Sequence, residues 1–278
     1  MKNKKEILII FLVLITIFYI FKNTNSINNY IIYATKLWFL KVFPFLFPMI
    51  ILNELLLSNN IIYYINKIFR KNGIKYYVFI MSLLSGSPTS AYLIKELFLN
   101  KIIDLKNANK LLYFTHFSNP VFLISILTSL FDKKTAYLLI IFHYLPNFIM
   151  MFFTKIESNN NTIIKNNNYN KALDKAVNTS LMVLGTLCIY ITLSNIIIDI
   201  FNISSINSIF IKGIIEITQG LNEINSLFVN IRFKKLLAII FINFGGLSIH
   251  SQIKSIISDT PISYKYFLLG RLISITII

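Results

Sequence analysis

Residues 137–153 read YLLIIFHYLPNFIMMFF, a run without a single charge. As a helix it is apolar on every side rather than along one stripe, which a surface helix of a water-soluble domain does not tolerate. It approaches the roughly 20 residues that span a bilayer core. Working outward, residues 7–21, 42–51, 121–130, 180–198 and 236–244 repeat the pattern. Several of these runs reach spanning length only by taking in Gly, Pro, Ser or Asn. The chain as a whole is 55% hydrophobic and 14% charged, with a mean hydropathy of +0.67. A soluble surface requires nearer a quarter charged residues. These runs predict an all-α, polytopic transmembrane helical bundle whose direct partner is the lipid bilayer.

The formal net charge of +16 does not point to nucleic acid. Lysine supplies nearly all of it, alongside abundant Ile, Asn, Phe and Tyr, the usage of an AT-rich genome. The basic residues lie in short loops between apolar runs, as in cytoplasmic loops of membrane proteins. Residues 2–5, 67–75 and an Asn-rich stretch are therefore expected on the cytoplasmic side of the cell membrane. Cys188, alone in an apolar run, excludes a disulfide framework. Lys2, Lys4 and Lys5 before an apolar stretch could open a signal peptide, but no small-x-small cleavage site follows. A retained anchor, with a loop at residues 22–26, is the favoured reading.

Residues 157–171, with Asn159, Asn160, Asn161 and then Asn166, Asn167, Asn168, form a low-complexity linker. It sets off an anchor and loop (1–29) and a first transmembrane half (30–156) from a second half (172–278). The halves are weakly similar. In the first, an apolar half-span meets Gly86, Ser87, Pro88, Thr89, Ser90 and restarts amphipathically. In the second, IIFINFGGLSIHSQ (residues 239–252) does the same. This reading aligns Gly86 with Gly246. Paired interrupted segments point to a repeat-built transporter, although two membrane segments can also resemble each other by chance.

Interrupted backbone in hydrocarbon needs protein, water or ligand partners. Pro88 has no N–H and a fixed φ, so it suits a helix restart. Thr89 and Ser90 then fall near a helix N-terminus, where partial positive charge collects. The bland alternative is a packing kink. The stretch Thr115, His116, Phe117, Ser118, Asn119, Pro120 is either a third break or a loop between short spans. Glu54 and Glu216 lie in apolar surroundings, and ionisable groups at membrane depth usually mark polar paths; the alternative places each at the wetted interface. His250 beside the second break is either a structural hydrogen bonder or a proton carrier. The candidate solute-binding set is Gly86, Pro88, Thr89, Ser90, Asn119, Glu216, Gly245, Gly246, Ser248, His250 and Gln252, with Glu54 on a polar path. No phosphate loop, His-Glu-x-x-His or Gly-x-Ser-x-Gly pattern occurs. No enzyme activity, metal site or cofactor is expected.

The order of these motifs resembles the sporulation integral membrane protein family of the YlbJ type, grouped with nucleoside-recognition or Gate domain proteins. The resemblance runs from Trp38 and Phe43, Pro44 through Glu54, residues 86–91, Asn119, Pro120 and His143, Tyr144, to residues 216–220 and 244–252. Ser90 stands where the family has a second Gly. The resemblance implies a role in spore formation and a transport-like architecture, without naming a substrate. Two functions follow. One is a permease-like protein binding or moving a small polar solute between two interrupted helices. The other is a membrane scaffold for spore-envelope assembly, with envelope proteins or a second copy of the chain as partners.

Overall fold

Backbone N–H and C=O groups in lipid must be satisfied within the segment, and among the described residues every regular element is helical. The computed structural model describes residues 2–59, 61–69, 72–156 and 169–277. Four helical stretches are long and apolar enough to cross a bilayer: Thr24–Ser58, Lys133–Phe153, Ala172–Phe201 and Ile231–Ile256. Shorter apolar helices accompany them at Gly73–Ser85, Pro120–Leu130 and Ser205–Ile215.

In chain order, α1 (Lys2–Lys22) is followed by α2 (Thr24–Leu37), a π-helical turn (Trp38–Val42) and α3 (Phe43–Ser58). The loop expected at 22–26 is reduced to a break at Asn23, whose backbone leaves the helical region (φ −124°, ψ 40°). The polar residues there continue as the first turn of α2. The π-turn precedes Pro44: the Phe43 N–H reaches back five residues to the Trp38 carbonyl. Next come α4 (Ile61–Phe69), α5 (Gly73–Ser85), α6 (Thr89–Leu99), α7 (Leu105–Phe114), α8 (Pro120–Leu130) and α9 (Lys133–Phe153). The Asn-rich linker lies outside the described residues up to position 168. The second half comprises α10 (Tyr169–Phe201), α11 (Ser205–Ile215), α12 (Ile217–Glu223), α13 (Ile231–Phe244), α14 (Gly246–Ile256) and α15 (Tyr264–Thr276).

The packing repeats itself when the halves are exchanged. Helix α10 lies along α2 and α3. Helix α7 packs on α15 as α13 packs on α9; α6 packs on α7 as α12 packs on α13; α6 touches α14 as α12 touches α8. Helices α5 and α6 pack against each other across residues 86–88, and α11 and α12 do so across Glu216. The second pair is a tight antiparallel hairpin. Lys212 and Glu223 pair across it at 2.8 Å, and a Cβ added to Gly220 would lie 2.2 Å from the Gly213 Cα. The break at Gly245 and Gly246 is of another kind, interrupting the single apolar stretch Ile231–Ile256. The exchange therefore matches residues 86–88 with Glu216, and residues 115–119 with the Gly pair. It does not match Gly86 with Gly246, as the sequence alignment had it. That alignment followed residue type, whereas the fold sorts a hairpin tip from a mid-helix break.

Apolar side chains of α1 from Ile7 to Phe18, and Phe21, are exposed, and those of α9 at Leu138, Ile141 and Leu145 face outward. These surfaces suit lipid. The interior core gathers α5, α6, α7, α14 and α15 around Ile94, Leu97, Phe114 and Phe267. A second cluster joins α8, α9, α12 and α13 around Leu123, Leu221 and Phe241.

Candidate functional site

All four interruptions contribute to the lining of one cavity. Each is held open by a local device. Gly86 closes α5 with φ +77°, and a Cβ there would strike the Asn119 backbone nitrogen at 2.7 Å. The close approach is used: the Ser87 N–H donates to the Phe117 carbonyl at 2.7 Å, and the Asn119 amide donates to the Leu84 carbonyl at 2.9 Å. Asn119 also caps α8, accepting from the N–H groups of Val121 and Phe122. Glu216 caps α12: it accepts from the Gln219 N–H at 2.8 Å and the Thr218 hydroxyl at 3.1 Å. A carboxylate is favoured at a helix N-terminus by the free N–H groups and the helix dipole.

The cavity encloses about 640 Å³ of empty space, its mouth included, between these tips and the flank of α10. One wall is apolar, formed by Val42, Phe45, Leu46, Val183 and Leu187. The other carries Ser87, Pro88, Ser118, Asn119, Glu216, Thr218, Ser248 and Gln252. The hydroxyls of Ser87, Ser118 and Ser248 are buried and find no hydrogen-bond partner among the described residues. Glu216 is 1% exposed and takes part in none of the ion pairs among them. Lys41, carried on the π-turn, lines the same space and donates to the Ser125 hydroxyl at 3.3 Å.

Of the sequence-derived set, Pro88, Asn119, Glu216, Ser248 and Gln252 line the cavity. Gly86, Gly245 and Gly246 shape its frame rather than its wall; their φ values are +77°, +85° and +72°. Thr89 and Ser90 are buried in the first turn of α6, behind the lining. Gln252 is fixed by donating to the Thr186 hydroxyl at 2.7 Å. His250 does not line the cavity: its ring bonds the Tyr264 hydroxyl on one side and the Phe244 carbonyl, at 3.0 Å, on the other. His143 is a similar strut. Its Nε2 accepts the Ser118 N–H at 3.0 Å, so its Nδ1 carries the proton and donates to Asn243 Oδ1 at 3.1 Å.

Lys41, Ser85, Ser87, Ser118 and Thr218 are the polar lining residues that the sequence-derived set lacks. The position of Ser118 inside the third break was the available signal. Lys41, a lone cation in an apolar run before Phe43 and Pro44, was another.

Glu54 stands apart from the cavity. It meets Lys175 at 3.1 Å, and Lys175 meets Glu96 at 2.9 Å, tying α3, α10 and α6 together. These side chains are 12%, 25% and 17% exposed respectively. Removing the cation leaves two carboxylates facing each other in poor solvent, which costs more than the pairs contribute. Lys175→Met is expected to destabilise the protein by about 2–4 kcal/mol, with much of that recovered in Lys175→Met/Glu54→Gln. Thermal unfolding of the single and double variants reads this. Additive effects of the two substitutions would mean that the cluster is solvated and uncoupled.

No family model matches the sequence, and no solved structure matches the chain. The chain is 25% identical over 294 residues to the sporulation integral membrane protein YlbJ of Bacillus subtilis (strain 168). The match covers 86% of this chain and 72% of that protein, and so takes in residues of both halves. The match agrees with the motifs read from the sequence and supports a likeness to the YlbJ-type family of sporulation integral membrane proteins.

Proposed function

We propose that the protein is a permease-like component of sporulation that binds, and passes across the membrane, a small polar solute held in the cavity between its interrupted segments. One observation carries this reading: hydroxyls from three separate interruptions, those of Ser87, Ser118 and Ser248, are buried with no hydrogen-bond partner among the described residues, in one cavity beside a carboxylate that joins none of the ion pairs among them. Burying a polar group unbonded costs about 1–3 kcal/mol, and three such groups facing one space are what a hydrogen-bonding solute would satisfy. The sporulation part rests on the name of the Bacillus subtilis relative. A scaffold has no use for such groups at membrane depth.

Solute-dependent thermal stabilisation of the purified protein in detergent, screened across nucleosides, inorganic cations and peptidoglycan precursors, tests the proposal. A true ligand at 100 times its Kd should raise the apparent Tm by about 5 °C. Ser118→Ala/Ser248→Ala should remove that rise while leaving the unliganded Tm within a few degrees. A screen without any cavity-dependent shift would favour the scaffold.

A further inference from the structure

Beyond the cavity, the break at Gly245 has a second side. Where α13 stops, the carbonyls of Ile242, Asn243 and Phe244 lose their helical partners, and the end of the helix carries partial negative charge. In lipid these groups cannot turn to water. All three are taken by side chains. Arg271 Nη1 donates to the Asn243 carbonyl at 3.1 Å and approaches the Ile242 carbonyl at 3.4 Å. His250 Nε2 bonds the Phe244 carbonyl.

Arg271 comes from α15 and is fully buried. Its guanidinium lies over the Phe267 ring, 5.3 Å from the centroid. It rests against Gly245, where a Cβ would come within 3.0 Å of Nη2. None of the ion pairs among the described residues involves it, and its Nε and Nη2 find no acceptor among them. The positive charge is therefore balanced by the carbonyl end of α13 rather than by an acid. Glu216 sits across the same dipeptide, since a Cβ on Gly246 would lie 3.3 Å from the Glu216 Cα. Carbonyl ends of interrupted helices are where repeat-built transporters coordinate coupling cations.

We propose that Arg271 is a tethered cation, holding the carbonyl end of α13 in place of a monovalent inorganic ion. The break is then charged at all times, and no ion gradient can fill or empty it. Arg271 acts through the backbone of the break and is a positioning residue.

The test is ion-specific rescue. Arg271→Ala frees the Ile242 and Asn243 carbonyls and opens space beside them. The variant should lose stability in N-methylglucamine chloride and regain about 3 °C or more of Tm in equimolar NaCl, KCl or a few millimolar guanidinium chloride. Wild type and Arg271→Lys, which retains a tethered charge, should show no comparable difference between those salts. If Arg271→Ala cannot be purified in N-methylglucamine, the recovery of folded protein in sodium or potassium buffer gives the same comparison. Equal instability of Arg271→Ala in all salts would overturn the proposal and leave Arg271 as a packing residue. Cation dependence of the same size in the wild type would also overturn it, because the site would then not be pre-occupied.

Discussion

Replacing Gly220 by leucine is expected to stop α11 and α12 from closing into a hairpin, with a loss of about 3 kcal/mol or more and little monodisperse protein in detergent. Even Gly220→Ala should be costly, because the new Cβ would meet backbone at Gly213 rather than a side chain that can turn aside. Gly213 is confined as well: its Cβ would fall 2.3 Å from the Phe241 ring. The two glycines allow Glu216 to sit at the tip of a hairpin only seven residues long on its second arm. Gly185 supplies the control, having nothing within 4 Å of a built Cβ. Gly185→Ala in the middle of α10 should stabilise by up to about 1 kcal/mol through helix propensity. Size-exclusion profiles and thermal unfolding of the three variants separate the cases. A well-behaved Gly220→Leu protein would mean that the hairpin is not closed as described.

Glu216→Gln is expected to leave the fold largely intact and to weaken solute binding at least tenfold, about 1.4 kcal/mol. The amide oxygen can still accept from the Gln219 N–H, so the cap of α12 survives. What disappears is the charge, and with it the strongest acceptor lining the cavity. The readout is the solute-induced Tm shift set against the unliganded Tm. Unchanged solute response would take Glu216 out of the binding role and leave it as a cap. A collapse of unliganded stability would say the same from the other side. Glu216→Ala removes cap and charge together, so it should lose both binding and about 1 kcal/mol of stability.

The membrane fold was legible because hydrocarbon imposes one rule on every segment, and runs such as 137–153 obey it in any context. Three of the four interruptions were legible for the same reason, since Gly and Pro within apolar runs are conspicuous; the one at Glu216 was not, because neither residue stands there. Nor was the pairing of the breaks. Whether α5 folds back on α6, or α13 carries on through Gly245, depends on contacts with distant helices, and composition is blind to that. The site was legible in part. Asn119 and Ser248 stood out as polar residues in or beside breaks, and Glu216 as an ionisable residue in an apolar run. His250 stood out equally and proved to be a strut for the Phe244 carbonyl, since a histidine beside a break looks the same whether it faces solute or backbone. Arg271 gave no local signal of its role, because the carbonyls it serves lie 28 and 29 residues earlier.

The π-turn at Trp38–Val42 acts as a phase corrector. At about 100° per residue, Leu46 would stand about 100° round the helix from Ile27, five full turns on. One extra residue absorbed in the wide turn removes that offset. Ile27 and Ala34 before the turn, and Leu46, Ile50, Asn53 and Leu57 after it, therefore share one buried side of a 35-residue helix. Deleting a single residue from the turn would restore regular α-helix and leave everything after it at the same azimuth, because the wide turn already absorbs that residue. Tightening the turn to regular α-helix without a deletion, or inserting a further residue, would instead swing everything after it by about 100°, carrying the buried row toward lipid and Glu54 away from Lys175. The same turn that points Lys41 into the cavity also keeps the second half of its helix in register with α10.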